Sequence, residues 1–229
     1  MVGGGSRPVP GEVSRAHRGV LFLDELPEFK RNVLEVLRQP LEDGEVSISR
    51  AAGSITYPAN LMLVAVMNPC PCGYRFDPKS ECGYTPMSIK KYVGKISGPL
   101  LDRIDLHIEV PALDYKDLSS ESGGERSETI SSRVEKARSV QLKRFHPDDE
   151  NNFNANMNPH QLKSFCQLDD ASKKIMALAI DKLGLSARAH DRILKVSRTI
   201  ADQAECESLQ SAHIAEAIQY RSLDRGSWF

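Results

Sequence analysis

No run in this 229-residue sequence is long and apolar enough to cross a bilayer, and no signal-peptide pattern follows Met1. The expectation is a cytoplasmic chain that makes no membrane contact. Cysteine is scarce and odd in number, five in all, which speaks against a disulfide framework. An excess of either charge is also missing: 30 basic residues meet 31 acidic ones, for a formal net charge of −1. That balance neither demands nor excludes nucleic acid, because a local basic patch can exist on a neutral protein. What remains is a globular chain, long enough for one large domain or two small ones.

Against these absences one stretch organises the rest. Val20-Leu21-Phe22-Leu23 runs straight into Asp24-Glu25. An apolar run without polar alternation reads as a strand buried on both faces, as in a parallel sheet. Acids at its C-terminal end sit where open α/β sheets place their ligands. Two adjacent buried carboxylates require a compensating cation or a catalytic use. This is the Walker B pattern of nucleoside triphosphatases: Asp24 would hold Mg²⁺ through its water shell, and Glu25 would polarise the attacking water. The plainer reading is an edge strand ending in an acidic turn. The partner motif, G-x-x-x-x-G-K-S/T, is absent: the residues before Gly19 hold Gly3-Gly4-Gly5 but no Lys. The chain thus reads as beginning within a nucleotide-binding domain, and by itself it is expected to be inactive as an ATPase.

Along the chain, residues 1–18 read as a loop. Phe29, Val33, Leu34, Leu37 and Leu41 share one helical face, which predicts a helix over 29–42 stopped by Gly44. Val46 to Ile48 and Ile55 to Tyr57 predict a hairpin around Ala51-Ala52-Gly53-Ser54. Leu61 to Met67 is a second buried strand, ending at Asn68-Pro69. A loop with Cys70, Cys72 and Cys82 leads to a helix near Ser88 to Lys95, and Ile104 to Val110 predicts the last strand of the domain. Ser119 to Gly124 reads as a linker. A helix from about Glu128 to Phe145 follows, with Ile130, Val134 and Ala137 on one side, and then a second linker from His146 to Asn158. Beyond Pro159 the periodicity predicts helices over 159–167, 170–183, 187–205 and 211–222, with Gly184 a C-cap and Ser186 an N-cap. The fold class is α/β, a parallel sheet followed by an all-α domain. The expected division is 1–112, a connecting segment 113–150, and 151–229.

Several ordered blocks carry a resemblance. They include Pro10-Gly11-Glu12-Val13, the Val20 to Glu25 strand, Leu37-Arg38-Gln39-Pro40-Leu41-Glu42, Asn68-Pro69-Cys70-Pro71-Cys72-Gly73, Ser97-Gly98-Pro99-Leu100-Leu101-Asp102-Arg103-Ile104-Asp105-Leu106, Ser186-Ala187-Arg188-Ala189 and Tyr220-Arg221-Ser222-Leu223-Asp224-Arg225. Over nearly its whole length the chain resembles the magnesium-chelatase-like family of AAA+ ATPases, and within it the bacterial ComM/YifB branch. The resemblance implies part of a P-loop core followed by a helical lid, with ATP and Mg²⁺ as cofactors. It also implies self-assembly into a hexameric ring and DNA as a partner. Family members carry a Lon-protease-like domain and the phosphate-binding loop N-terminal to this region.

The resemblance also assigns residues. Asn68 matches sensor 1, a neutral amide that can hydrogen-bond the γ-phosphate or the attacking water; its plainer reading is an Asn-Pro turn. Arg103 matches the arginine finger that acts on a neighbouring subunit's nucleotide; its plainer reading is a surface partner of Asp102 or Asp105. Arg188 matches sensor 2 of the lid, and Arg192, one helical turn further, is the reserve candidate. Arg50 matches the basic tip of a pore-facing hairpin that follows DNA phosphates without reading bases. Cys70, Cys72 and Cys82 could give three thiolates to Zn²⁺. Relatives often carry a fourth cysteine nearby, where this chain has Gly83 and Tyr84.

Three functions compete. One is a ring-shaped ATPase motor on DNA, as in the branch migration of natural transformation. Another is an ATPase subunit like that of the magnesium-chelatase insertase, whose partner is a protein that loads metal into a porphyrin. The last is a non-catalytic interaction module. The Cys-Pro-Cys loop and the Arg-Ser-Leu-Asp-Arg block favour the first.

Overall fold

The computed structural model describes residues 1–5, 8–50, 53–77, 79–111, 124–145, 153–221 and 223, with Arg50 described by its backbone alone. Most of the two expected linkers, 119–124 and 146–158, lies outside the described residues. Two compact units divide between Ile104 and Asp105.

The first unit is built on a parallel strand pair. β3, Val20–Leu23, lies beside β6, Met62–Ala65, in the register Val20↔Met62 to Leu23↔Ala65. The expectation of burial on both faces is corrected here. Leu21 and Leu23 are buried, but Val20, Phe22 and Met62 are 58%, 57% and 63% exposed. Side chains alternate across a strand, so one face reaches the core, while no described element covers the other.

The segment before β3 is more ordered than a loop. Gly3–Gly4 (β1) pairs antiparallel with Val9–Pro10 (β2), and a short helix α1, Glu12–Arg15, buries Val13. The helix expected over 29–42 is two helices, α2 Arg31–Glu35 and α3 Arg38–Asp43. Pro40 has no N–H to offer the carbonyl four residues back, so the helical ladder breaks around Val36 and Leu37. Gly44, at φ +69°, caps α3 in the left-handed conformation.

The hairpin is present as β4, Glu45–Arg50, and β5, Gly53–Pro58, paired in full register. Val46 and Ile48 face the core, and Ser47–Thr56 and Ser49–Ser54 hydroxyl pairs, at 2.9 and 3.1 Å, cross the other face. Helices α4, Pro86–Val93, and α5, Gly98–Leu101, are capped by the Thr85 and Ser97 side chains. Their Ile89, Tyr92, Val93, Leu100 and Leu101 are buried, as are Leu34 and Leu37 of the α2–α3 region.

Ile104 to Val110 is not a strand. Its one backbone pairing among the described residues is a bridge from His107 to Arg221, where the His107 N–H donates to Tyr220 O at 2.7 Å. Leu106, Ile108 and Val110 stay exposed, because among the described residues no sheet edge meets this stretch on a second side.

The second unit is helical: α6 Ser127–Arg144, α7 Pro159–Phe165, α8 Asp170–Leu183, α9 Ala187–Gln203 and α10 Ser211–Gln219. Its core joins Met157, Leu162, Cys166 and Met176 to Leu185, Ile193, Leu194, Ala201, Ile214 and Ala217. On α6 the buried residues are Ala137 and Gln141, while Ile130 and Val134, on the same side as Ala137, are exposed.

Candidate functional site

The acid pair sits where β3 leaves the sheet. Val66 donates its N–H to Leu23 O, and Leu26 donates its N–H to Val66 O, both at 2.9 Å. Asp24 and Glu25 therefore form a short excursion pinned at both ends by the residue just past the neighbouring strand. To make that excursion Glu25 adopts φ 49°, ψ 49°, the left-handed region, which costs a non-glycine residue about 1 kcal/mol or more. The Asp24 Oδ1 accepts the Glu25 N–H at 2.9 Å, and the residue is exposed. Both acids are exposed, so the sequence argument from buried charge does not hold for this chain; what the geometry provides is display.

Asn68 follows β6 and is exposed beyond the same end of the pair. A tight turn comes next: Gly73 donates its N–H to Cys70 O at 3.0 Å, with Pro71 in the position where its fixed φ favours turning. The turn sets the sulfurs of Cys70 and Cys72 3.4 Å apart, and Cys82 lies 3.6 Å from each. Cys70 is fully buried and packs with Ile89, Tyr92 and Val93 of α4. The Tyr74 backbone N–H draws the Cys72 thiol below its ordinary value. Burial, then the carboxylates of Glu28 and Glu25, push the Tyr92 phenol above its own, so α4 senses the charge of the acid loop.

Arg103, just after α5, is buried rather than presented to solvent. It pairs with Glu42 of α3, an acid remote in sequence, and donates to Pro99 O at 2.6 Å. Glu35, Arg38, Glu42 and Arg103 line an open cavity of about 520 Å³. Hydrogen bonds from Ser97 and Arg38 hold the Glu35 carboxyl below the usual carboxylate range.

The two lid candidates belong to the second unit. Arg188 lies in the first turn of α9, exposed. Arg192, one turn on, is committed to Asp105 as an ion pair. The Arg50 side chain lies outside the described residues, although its backbone ends β4 opposite Gly53.

Sequence reasoning missed a buried network in the same unit. Asp202, fully buried, accepts from Arg144 at 2.7 Å, Asn154 at 2.7 Å and Arg198 at 3.1 Å. Arg198 also donates to Glu207 O at 2.7 Å. The one available signal was the i, i+4 spacing of Arg198 and Asp202, common on solvated helix faces.

The comparisons with known proteins agree with this architecture. Residues 1–118 match the family described as magnesium chelatase, subunit ChlI, and residues 124–221 match its C-terminal counterpart. The competence protein ComM of Haemophilus influenzae is 46% identical over 226 residues, covering 98% of this chain and 43% of that protein. The uncharacterized protein YifB of Escherichia coli is 44% identical over 226 residues, with the same coverage of both chains. The chloroplastic magnesium-chelatase subunit ChlI of Nicotiana tabacum is 23% identical over 193 residues, 84% of this chain and 34% of its own. The chain thus spans less than half the length of these relatives. It belongs to the magnesium-chelatase-like family, in the branch that includes ComM and YifB.

Proposed function

We propose that this region is part of an ATP-hydrolysing AAA+ motor that acts on DNA as a ring of like subunits. The observation that supports this most is the acid pair at the C-terminal end of β3, pinned by Val66 beside the strand that leads to Asn68. In this reading Asp24 holds the water shell of Mg²⁺ and Glu25 takes the proton of the attacking water. Asn68 orients that water, Arg103 serves a neighbour's nucleotide, and Arg188 reaches the γ-phosphate from the lid. Arg192 is already paired with Asp105 and so is the weaker lid candidate. Arg50 would follow DNA backbone from the hairpin. The relative named as a competence protein, at 46% identity, favours DNA transactions such as the branch migration of natural transformation. The resemblance to a chelatase subunit, at 23%, favours the second reading, an ATPase that drives metal insertion through a partner protein.

The test is ATP hydrolysis by a protein that carries this region together with a phosphate-binding loop. Stimulation by forked DNA supports the motor. Stimulation by a large chelatase subunit and not by DNA favours the second reading, and no hydrolysis under any condition overturns both. The 229-residue chain alone, with no loop to cradle the β- and γ-phosphates, is expected to show no turnover.

A further inference from the structure

The three cysteines of the loop after Asn68 are arranged more tightly than packing requires. Their sulfurs form a near-equilateral triangle with sides of 3.4, 3.6 and 3.6 Å. Thiolates bound to zinc lie about 2.3 Å from the metal, so two sulfurs of a tetrahedral site are separated by about 3.8 Å. The triangle is within a few tenths of an ångström of one face of that tetrahedron. A disulfide needs about 2.05 Å between two sulfurs and leaves the third out; here all three distances are alike and the cysteines are free. Apolar packing explains the burial of Cys70 against α4, but it does not call for three mutually equidistant sulfurs.

The local chain is built to hold this arrangement. The Cys70–Gly73 turn fixes two sulfurs from one side. The excursion from Tyr74 returns through a turn in which Asp77 accepts the Lys79 N–H at 2.8 Å, and Cys82 comes back just before the Thr85 cap of α4. Among the described residues no fourth His, Cys, Asp or Glu joins the group.

We propose that Cys70, Cys72 and Cys82 bind one Zn²⁺ through three thiolates, with the fourth position taken by water. Each thiol releases its proton to solvent on binding, and three thiolates on Zn²⁺ leave a local charge of −1. The ion staples the loop that follows Asn68 to α4. Soft thiolate donors select such a metal over Mg²⁺, so this site is chemically separate from any ion at Asp24, and the proposal does not depend on nucleotide.

The test uses the purified 229-residue chain. Elemental analysis is expected to find about one zinc per chain, falling roughly tenfold or more in Cys72→Ser and Cys82→Ser but not in Cys206→Ser. Titration of the metal-stripped wild type with Co²⁺ needs no variant. It should give tetrahedral d–d bands and thiolate charge-transfer absorption that saturate near one equivalent and vanish on adding Zn²⁺. Absence of metal with all five thiols reactive, zinc retained equally by the serine variants, or a disulfide within the trio would each overturn the proposal.

Discussion

Arg103 and Glu42, 61 positions apart in sequence, form an ion pair whose arginine end is buried and whose glutamate end is partly open to solvent. An arginine that is to reach a neighbouring subunit's nucleotide must first leave this partner. Within the motor reading, Arg103→Ala in a loop-containing protein is expected to keep ATP binding and to reduce hydrolysis by roughly 10³-fold. Mixing it with Glu25→Gln subunits should restore part of the activity, since some interfaces then join an intact Glu25 to an intact Arg103. Zero hydrolysis across the whole titration, with mixed assembly confirmed, would leave Arg103 a purely structural partner of Glu42.

Glu25 carries two separable expectations. In the loop-containing protein, Glu25→Gln should bind ATP and fail to hydrolyse it, because the amide cannot accept the water's proton. In the chain alone, Glu25→Gly should raise stability by about 1 kcal/mol, since glycine occupies the left-handed region without penalty. Chemical denaturation reads the second effect; a destabilised glycine variant would contradict the backbone geometry.

Asp202 anchors the second unit. Asp202→Ala strands Arg144 and Arg198 around an uncompensated site, and the expected loss is about 3–5 kcal/mol. Replacing the network by apolar residues of similar volume should be far milder. A loss below about 1 kcal/mol, measured by urea unfolding, would show that the network carries little of the fold.

Acid dependence follows from the cap of α8. Asp169 accepts the Ser172 N–H at 2.7 Å, and Ser172, by its side chain and backbone beside the carboxyl, holds it below the ordinary 3.8. A depressed carboxylate stabilises the fold fully above that ordinary value, and the contribution disappears as pH falls through the lower folded value. The melting-temperature gap between wild type and Asp169→Ala should therefore be widest near neutral pH and close toward about pH 2. A gap that ignores pH would mean the carboxylate's charge plays no part.

Much of this was readable from local chemistry. Gly44 and Gly184 cap helices in the left-handed conformation, and Ser186 caps α9, as their positions beside periodic runs foretold. The two apolar runs are indeed neighbouring parallel strands. What was not readable depended on partners remote in sequence. An apolar run does not reveal whether both of its faces are covered, so the exposure of Val20 and Phe22 was hidden. Leu106, Ile108 and Val110 alternate like a strand, yet a strand requires an edge to pair with. Arg103 found Glu42 and Arg192 found Asp105, 61 and 87 positions away, pairings that no local pattern encodes.

The β4–β5 hairpin behaves mechanically as a cantilever. Its root is clamped where Ala59 donates to Gly44 O at 2.7 Å and where Val46 and Ile48 enter the core. The serine and threonine pairs along its outer face resist shear between the strands. With six residues per arm the hairpin is about 20 Å long, and the burial of Ile48 leaves only its outer third to project. A load at the projecting end is therefore carried into the core over the stretch from Glu45 to Ile48 rather than at a hinge.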